Sequence, residues 1–545
     1  MSLFSVLTVA TRGLQASQLA MDVASQNISN ADVEGYSRKR LNTTADYRTD
    51  GTFGQMGFGV NVIDIERMRN TFIDQQIRQQ TQQVGYYTQI DQTYQNIENV
   101  FTEPSDTGLQ QYMDQFFDSW QNLANNPADT SARTMVKTNG EILTDVFHNL
   151  ATQLANSRQE KNDEITQRVN KVNQLTKDIY NLNTEIAAVE ISGQHANDSR
   201  DKRDKDLKDL SSLIDIDTQE NSLGQITVTT GGSIIVSPAY QQDIETTTST
   251  YQAANGDTIT NIGLRFKDSK LPFMPQTGEI RGLMDSRDVV IPEYQNKLDT
   301  LANALITKIN EVHEKGYDLN GVSGNDFFDP TKTGASEITL SPSIVTNIQN
   351  IAAASGGETL VAPTQNLTLT YGIAGTLGET NINQGSLIVQ AGNTTLTEGT
   401  DYQVDYRTGA IQLLHAGYNG TPLIATFTYT DGTFKGPGDN SNAIAIAQLR
   451  QQLTMDNDNL GNATSTFSEN YAAMIGRLGL DRNEATSNLD SRTHLVDQYE
   501  SQQDSAAGVS LDEEMADIIK YQHTYQASAR VITTTSEMLD TLLKM

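Results

Sequence analysis

Residues 3–30 read LFSVLTVATRGLQASQLAMDVASQNISN, and residues 510–543 read SLDEEMADIIKYQHTYQASARVITTTSEMLDTLL. Stepping alternately by four and three from Leu3 gives Leu7, Ala10, Leu14, Ser17, Met21, Ala24 and Ile28. The same step from Leu511 gives Met515, Ile518, Gln522, Tyr525, Ala529, Ile532, Ser536, Leu539 and Leu543. Apart from Ser17, Gln522 and Ser536, both stripes are apolar or carry alanine and tyrosine. A repeat of about 3.5 residues marks a narrow helical seam. Ser510 followed by Glu513 predicts a capping box at the start of the second helix, and Asp512 and Glu514 add negative charge where the helix dipole favours it. Two ordinary amphipathic helices on one globular core would give the same pattern. The seams, however, lie at the extreme ends of the sequence, and neither has a partner helix one short loop away. They read as a pair that folds together and on other copies.

Between the ends the periodicity changes. Residues 84–120 and 130–215 read as long helices, with Val169, Val172, Leu175, Ile179, Leu182, Ile186 and Val189 at helical spacing. From Gly224 the period becomes two (Ile226, Val228, then Ile234 and Val236), and Gly231-Gly232 signals a hairpin. A helix is predicted again over 291–315. Residues 357–434 are Gly- and Thr-rich, with Leu387, Val389, Tyr402, Val404, Tyr406, Ile411, Leu413, Ile424, Thr426 and Thr428 in strand-like runs. That segment predicts a small antiparallel sandwich. Helices resume at Ala443. The order implies nesting in a mixed fold, mainly α with β. Residues 1–66 with 500–545 form the paired terminal helices. Residues 67–356 with 435–499 form a helix-rich mid-domain with a β portion near 220–270. Residues 357–434 are an inserted antiparallel β-domain.

Composition removes several functions. Of 545 residues, 37% are apolar and 19% charged, and the formal net charge is -30. So negative a chain is not attracted to nucleic acid or to an anionic membrane surface. No apolar run approaches the ~20 residues that span a bilayer, so membrane insertion is not expected. The stretch Leu3–Ala10 is not read as a cleaved leader, because no basic residue precedes it and Arg12 follows at once. An export route would then read an uncleaved N-terminus. There is no cysteine, which excludes disulfides and thiolate metal sites.

Catalytic and cofactor signatures are likewise missing from the sequence. His148, His195, His313, His415, His494 and His523 are scattered singly. The glycines at 51, 54, 57 and 59 lead into a strand and not a phosphate-binding helix. Asp456, Asp458 and Gly461 are spaced like a calcium loop, but Leu460 and Phe467 stand where ligands are needed. The alternating charges from Asp198 to Asp209 read as a solvated helical face. No catalytic residue, metal or cofactor is predicted; the chain reads as a structural subunit.

The motifs themselves carry a resemblance. Ser25-Gln26-Asn27-Ile28-Ser29-Asn30 followed by Gly35-Tyr36-Ser37-Arg38 resembles the N-terminal signature of the flagellar rod, hook and hook-associated axial proteins. Gly57-Phe58-Gly59-Val60, then Ile65 and Arg67, is similar to their next shared block. Trp120 to Pro127, Asn310 to Phe328, and Gly508 through Leu543 narrow the resemblance to a hook-associated member. It covers roughly 1–355 and 435–545, with the strand-rich insertion outside it.

This resemblance implies a secreted, extracellular subunit of the flagellum, exported through the flagellar secretion apparatus and placed between hook and filament. The implied partners are further copies of itself in a ring or helical array, hook protein on one side and hook-associated protein 3 on the other. An export chaperone on the C-terminal helix is implied too. Within the family the alternative is a hook or distal rod protein; outside it, a secreted adhesin with the β-domain as its binding head.

Overall fold

A computed structural model describes residues 3–544 apart from 51–53, 104, 106–107, 253–257, 357–358, 381, 384, 407, 431–433 and 458–461. Gly51, and Asp458, Leu460 and Gly461 of the unmatched calcium loop, lie outside the described residues. Helix α1 (Leu3–Ser29) opens the chain. A turn then delivers it to an antiparallel ribbon, β1 (Lys39–Asp50) and β2 (Gly54–Arg67), with register shifts at Asn42/Thr43 and Asp46/Tyr47. Bulges of this kind increase twist, and the ribbon lies along α1. Gly59 takes φ 100°, and a Cβ there would stand 3.3 Å from Val9 Cα, so the close approach and the left-handed backbone both call for glycine.

Helix α2 (Thr71–Phe101) starts under Asn70, whose side chain accepts from Phe72 N–H at 3.0 Å, and stops where Thr102 turns left-handed. Helices α3 (Leu109–Asn125) and α4 (Thr130–Glu190) follow. The 61-residue α4 is capped by Asp129, which accepts from Ser131 N–H at 2.8 Å. Next come α5 (Asn197–Leu213) and two antiparallel groups of strands. The first is β3 (Asp217–Glu220), β4 (Ile226–Thr230) and β5 (Ser233–Val236), and the second is β6 (Ile244–Gln252) with β7 (Thr258–Phe266). Gly231 and Gly232 make the β4–β5 turn with positive φ. Helix α6 (Glu279–Asp285) runs through a π turn, Ser286–Val290, into α7 (Ile291–His313), and the short α8 (Pro342–Thr346) comes later.

Residues 359–430 hold β8 (Thr359–Val361), β9 (Gln365–Thr368), β10 (Ala374–Thr376), β11 (Ile388–Ala391), β12 (Thr394–Thr395), β13 (Tyr402–Asp405), β14 (Ala410–Leu413), β15 (Pro422–Thr426) and β16 (Thr428–Thr430). Sheets β10-β14-β13 and β12-β11-β15-β9 share one buried core that includes Val389, Leu423, Ile411 and Leu413, and β8 pairs with β16 where the segment closes. All pairings are antiparallel. Its two flanks meet: Ser355 N–H donates to Asp439 Oδ2 at 2.6 Å, and the amides of Asn442 and Ala443 donate to Ala353 O at 3.1 and 3.0 Å. The chain ends with α9 (Ser441–Gln448), the pair β17 (Met455–Asn457) and β18 (Ala463–Ser465), α10 (Phe467–Ala507) and α11 (Leu511–Leu543). A complete capping box starts α10 at Thr466 and Glu469.

The region read as one mid-domain has two apolar cores. One joins α2, α3, the first half of α4, α7, α9 and the start of α10 around Phe116, Trp120, Phe327 and Phe328. The other joins the second half of α4, including Val169, Val172, Leu175 and Ile179, to α5, α6 and the strands β4 to β7. Periodicity along α4 is continuous, so it could not show that one helix serves two cores.

Carboxamides on α4 tie it to strand backbones. Asn173 donates to Ile244 O and accepts from Ile244 N–H, both at 2.8 Å. Asn183 treats Ile226 the same way, at 2.7 and 3.0 Å. Asn162 donates to Thr260 O at 2.7 Å and accepts from Ile262 N–H at 3.1 Å. In the first core, the wholly buried His313 stands between Asn325 O (2.6 Å from Nδ1) and Ala352 N–H, which donates to Nε2 at 2.8 Å. This fixes a neutral ring with its proton on Nδ1. Burial pushes the imidazole down to about 4.

Two outcomes follow from this packing. The unfolded ring protonates near 6.5 and the folded one near 4, so between these values the unfolded state binds more protons. The His313 contribution is complete above pH 6.5 and lost as pH falls toward 4, about 3 kcal/mol in all. Chemical denaturation at pH 7 and pH 4.5, with the His313 titration followed by NMR, checks it; a ring titrating near 6.5 refutes it. Replacing residues 357–434 with a short Gly-Ser linker is expected to leave the other cores with an unchanged thermal transition, because the flanks already touch. Calorimetry of the shortened chain reads the outcome, and a lost transition would place the β-segment in the parent core.

Candidate functional site

The two ends of the chain come together as an antiparallel helix pair. Asn27, near the end of α1, reaches Glu514 at the start of α11, and Leu3 borders a cleft with Met538 and Leu542 near the end of α11. Midway, Gly13 faces Ser528, where a Cβ on Gly13 would stand 3.1 Å from Ser528 Oγ. Small side chains let the helix axes approach closely. On α1 the buried positions are Ala10, Ala16, Ser17, Ala20, Val23, Ala24 and Asn27, while Leu3, Leu7, Leu14, Met21 and Ile28 are half-buried.

The α11 seam differs from its expected register. Glu514, Ile518, Tyr521, Tyr525, Ser528, Ile532, Thr535 and Leu539 are among its less exposed positions and again follow a step of four and three, flanked by Asp517 and Ala529. Ile518, Tyr525, Ala529, Ile532 and Leu539 are half-buried, whereas Leu511, Met515 and Leu543 are 49%, 53% and 85% exposed. These last three do not enter the seam within the chain. Close crossing at Gly13 selects Ser528, and the polar contact of Glu514 sets the start, two positions that an apolar stripe does not mark.

Where the helix pair meets the rest of the molecule, the residues of the N-terminal motif converge. Asn27, 1% exposed, donates Nδ2–H to Lys39 O at 2.9 Å and to Glu514 Oε2 at 3.1 Å. Its Oδ1 accepts from Lys39 N–H and from the Tyr36 hydroxyl, each at 2.9 Å. Burial, with Asp198, Asp201 and Glu514 nearby, pushes the Tyr36 hydroxyl up to about 12. Gly35 turns the chain with φ 84°. Ile28 is half-buried, and Ser29 and Asn30 donate back to Ser25 O and Gln26 O at 2.8 and 2.9 Å, closing the last turn of α1.

Arg38 donates to Glu514 Oε1 at 2.7 Å and to Glu513 Oε2 at 3.0 Å, and its amide donates to Ala507 O at 3.2 Å. Because Glu513 turns to Arg38, only half of the expected capping box forms: Ser510 Oγ accepts from Glu513 N–H at 3.5 Å. Ser37 donates its amide (3.1 Å) and hydroxyl (2.7 Å) to Asp201, which also accepts from Arg67 Nη1 at 2.9 Å. Arg67 reaches Asp204 at 2.7 Å, and Lys39 pairs with Asp198. Burial alone would raise the Asp204 carboxyl, but Arg67, Arg69 and Arg203 hold it below the usual carboxylate range.

The charge run on α5 is therefore only in part a solvated face, with Asp198 and Lys202 exposed. Asp201, Arg203 and Asp204 are 7%, 0% and 7% exposed. The sequence carried one sign of this, since Leu207 and Leu210 continue the same helical face into the second core. Charges of both signs hid it, because alternating sign suits a wet surface and a matched buried joint equally. Among the described residues no group of His, Cys, Asp or Glu could hold a metal ion. The joint's carboxylates are taken up by arginine, lysine or amide donors, an arrangement suited to holding elements in place and not to proton transfer.

Comparisons with known proteins point the same way. Residues 94–328 match the family model described as Flagellar hook-associated protein FlgK helical domain. Residues 7–36 match that of Flagella basal body rod protein, and 500–545 that of Flagellar basal body rod FlgEFG protein C-terminal. The chain is 28% identical to flagellar hook-associated protein 1 of Bacillus subtilis, aligned over 99% of this chain and 98% of that one. It is 27% identical to the protein of the same name from Escherichia coli, over 99% and 100%. Over nearly its whole length this chain is similar to flagellar hook-associated protein 1. The structure of the flagellar hook junction protein FlgK from Burkholderia pseudomallei has the same fold, with TM-score 0.57 and 19% identity over 81% of this chain and all of that one. The chain is a structural protein of the bacterial flagellum, located in that exported extracellular structure. Its curated relatives are structural proteins and not enzymes.

The rod-protein models cover both halves of the joint, Asn27 and Tyr36 on one side and Glu513 and Glu514 on the other. Asn27→Ala is expected to strand the Lys39 amide and carbonyl and one oxygen of Glu514, costing about 2–4 kcal/mol locally. Amide exchange at Lys39 and over the first turns of α11 should speed up by roughly 30-fold or more while the second core keeps its protection. Unchanged exchange at Lys39 would show that the carboxamide does not hold the joint.

Proposed function

We propose that this chain joins hook to filament, packing copies of itself into a ring or helical array with hook protein on one side and hook-associated protein 3 on the other. One observation carries the reading. The α1–α11 pair is already complete within the chain, yet α11 leaves Leu511, Met515, Ile519, Val531, Met538 and Leu542 each 42–57% exposed. Apolar surface of this extent is covered in an assembly. Before assembly the same surface would cause aggregation, which supports a cytoplasmic export chaperone on α11.

The molecule acts as a structural element and not as an enzyme. On this reading the seam residues Leu3, Leu7, Ala10, Leu14, Met21, Ala24 and Ile28 with Ile518, Tyr525, Ala529, Ile532 and Leu539 set the pairing of α1 with α11. Leu511, Met515 and Leu543 face outward to neighbours. Residues 1–66 with 500–545 form the axial part, 67–356 with 435–499 the surrounding helical part, and 357–434 an outward β-domain. The family-model match over 94–328, which carries the hook-associated name, favours this over a hook or distal rod subunit.

Leu14→Asp or Ile532→Asp puts an unpaired carboxylate into the helix seam at a cost of several kcal/mol. Cells carrying either change as their only copy are expected to keep hooks but lose filaments, while the purified variant retains the thermal transition of its other cores. Electron microscopy of hooks and filaments gives the answer, and normal filaments on both strains would overturn the reading.

A further inference from the structure

Apart from Leu543 at its last position, the exposed large apolar residues of α11 fall into two groups. Leu511, Met515 and Ile519 are spaced four apart near its start, and Val531, Met538 and Leu542 are spaced seven and four apart near its end. At about 100° per residue the first group lies to one side of the α1-facing seam and the second to the other side, each roughly 80° from it. Met538 and Leu542 of the second group line a cleft between the two ends of the chain, together with Leu3, Thr534, Glu537 and Thr541. One group cannot cover the other within a chain, since Met515 and Leu542 stand roughly 40 Å apart along a single helix.

We propose that these are the two halves of one contact between copies: Leu511, Met515 and Ile519 of one chain seat against Leu3, Met538 and Leu542 of the next. This rests on the reading that the chain assembles with further copies of itself. The argument for unlike halves is direction. If each group met its own counterpart about a two-fold axis, successive chains would point in opposite directions, whereas an array with hook protein on one side and a different protein on the other has one direction. If unlike groups meet, every contact presents the same free halves at its ends, and the contact repeats around a ring or helix. Both groups adjoin the intrachain seam, so the new contact extends an interface already packed.

The natural chain has no cysteine, so introduced thiols report alone. Met515→Cys and Met538→Cys chains are co-expressed in cells lacking the natural protein, and intact flagella are treated with a mild oxidant. Covalent dimers joining the two different variants are expected at least tenfold above either variant alone. Equal dimer yield from Met515→Cys alone would establish a two-fold contact, and filament-bearing flagella without mixed dimers would refute the pairing. A second measurement does not depend on oxidation. Ile519→Lys and Leu542→Asp should each lower the fraction of filament-bearing cells at least tenfold, and both changes in one chain should restore most of it; no restoration overturns the proposal. Filaments on cells with no copy of the protein would instead defeat the hook–filament reading, so the two failures are distinguishable.

Discussion

A buried or half-buried carboxamide that pairs with both the N–H and the C=O of one backbone residue recurs at the places where this molecule is joined. Asn27 does this to Lys39, Asn173 to Ile244 and Asn183 to Ile226. Asn310 takes the amides of Phe327 and Phe328 and donates to Phe328 O. The carboxamide presents one donor side and one acceptor side, like a peptide group, so it completes a strand or turn without a second strand. Buried backbone groups must find such partners, and leaving them unpaired costs more than the net gain of making the bond. Removing any of these asparagines therefore undoes a junction and not merely a contact.

At the end of α1 this device is combined with charge. Asn27 holds β1 and α11, and Arg38 holds Glu514 and Glu513. Ser37 and Arg67 bind Asp201 on α5, so three separate parts of the chain meet over a few residues. Buried ion pairs give little net stability, but they penalise any geometry in which one member loses its partner. That property suits a joint that holds α5 and the core beyond it at one angle to the terminal helices. Helix α4 continues the same logic outward as a single beam with an apolar core on each half.

Much of the architecture is legible in the sequence because it depends on period. The four–three stripes at both ends, the switch to period two after Gly224, and the Gly- and Thr-rich run before the closing helices each report a local geometry. Ser25 to Arg38 could likewise be read as a functional motif, because its turn chemistry is local. His313 reads as a solitary histidine within the Asn310–Phe328 segment of the resemblance, since nothing near it in sequence shows that Asn325 and Ala352 will enclose it.

What the sequence alone determined here is which segments are helical or extended, that the two terminal helices carry matching apolar stripes, and that its motifs resemble those of flagellar axial proteins. Only the tertiary structure decided which residues of α11 face α1, that Glu514 and, on α5, Asp201, Arg203 and Asp204 are buried, and that one long helix divides two cores. The physical reason is the range of the forces involved. Periodicity and turn preference act over a few residues, whereas a charge's burial is set by partners far away in the chain, as when Asp201 meets Ser37 and Arg67. The close crossing of Gly13 and Ser528 then fixed a register that apolarity by itself left one step uncertain.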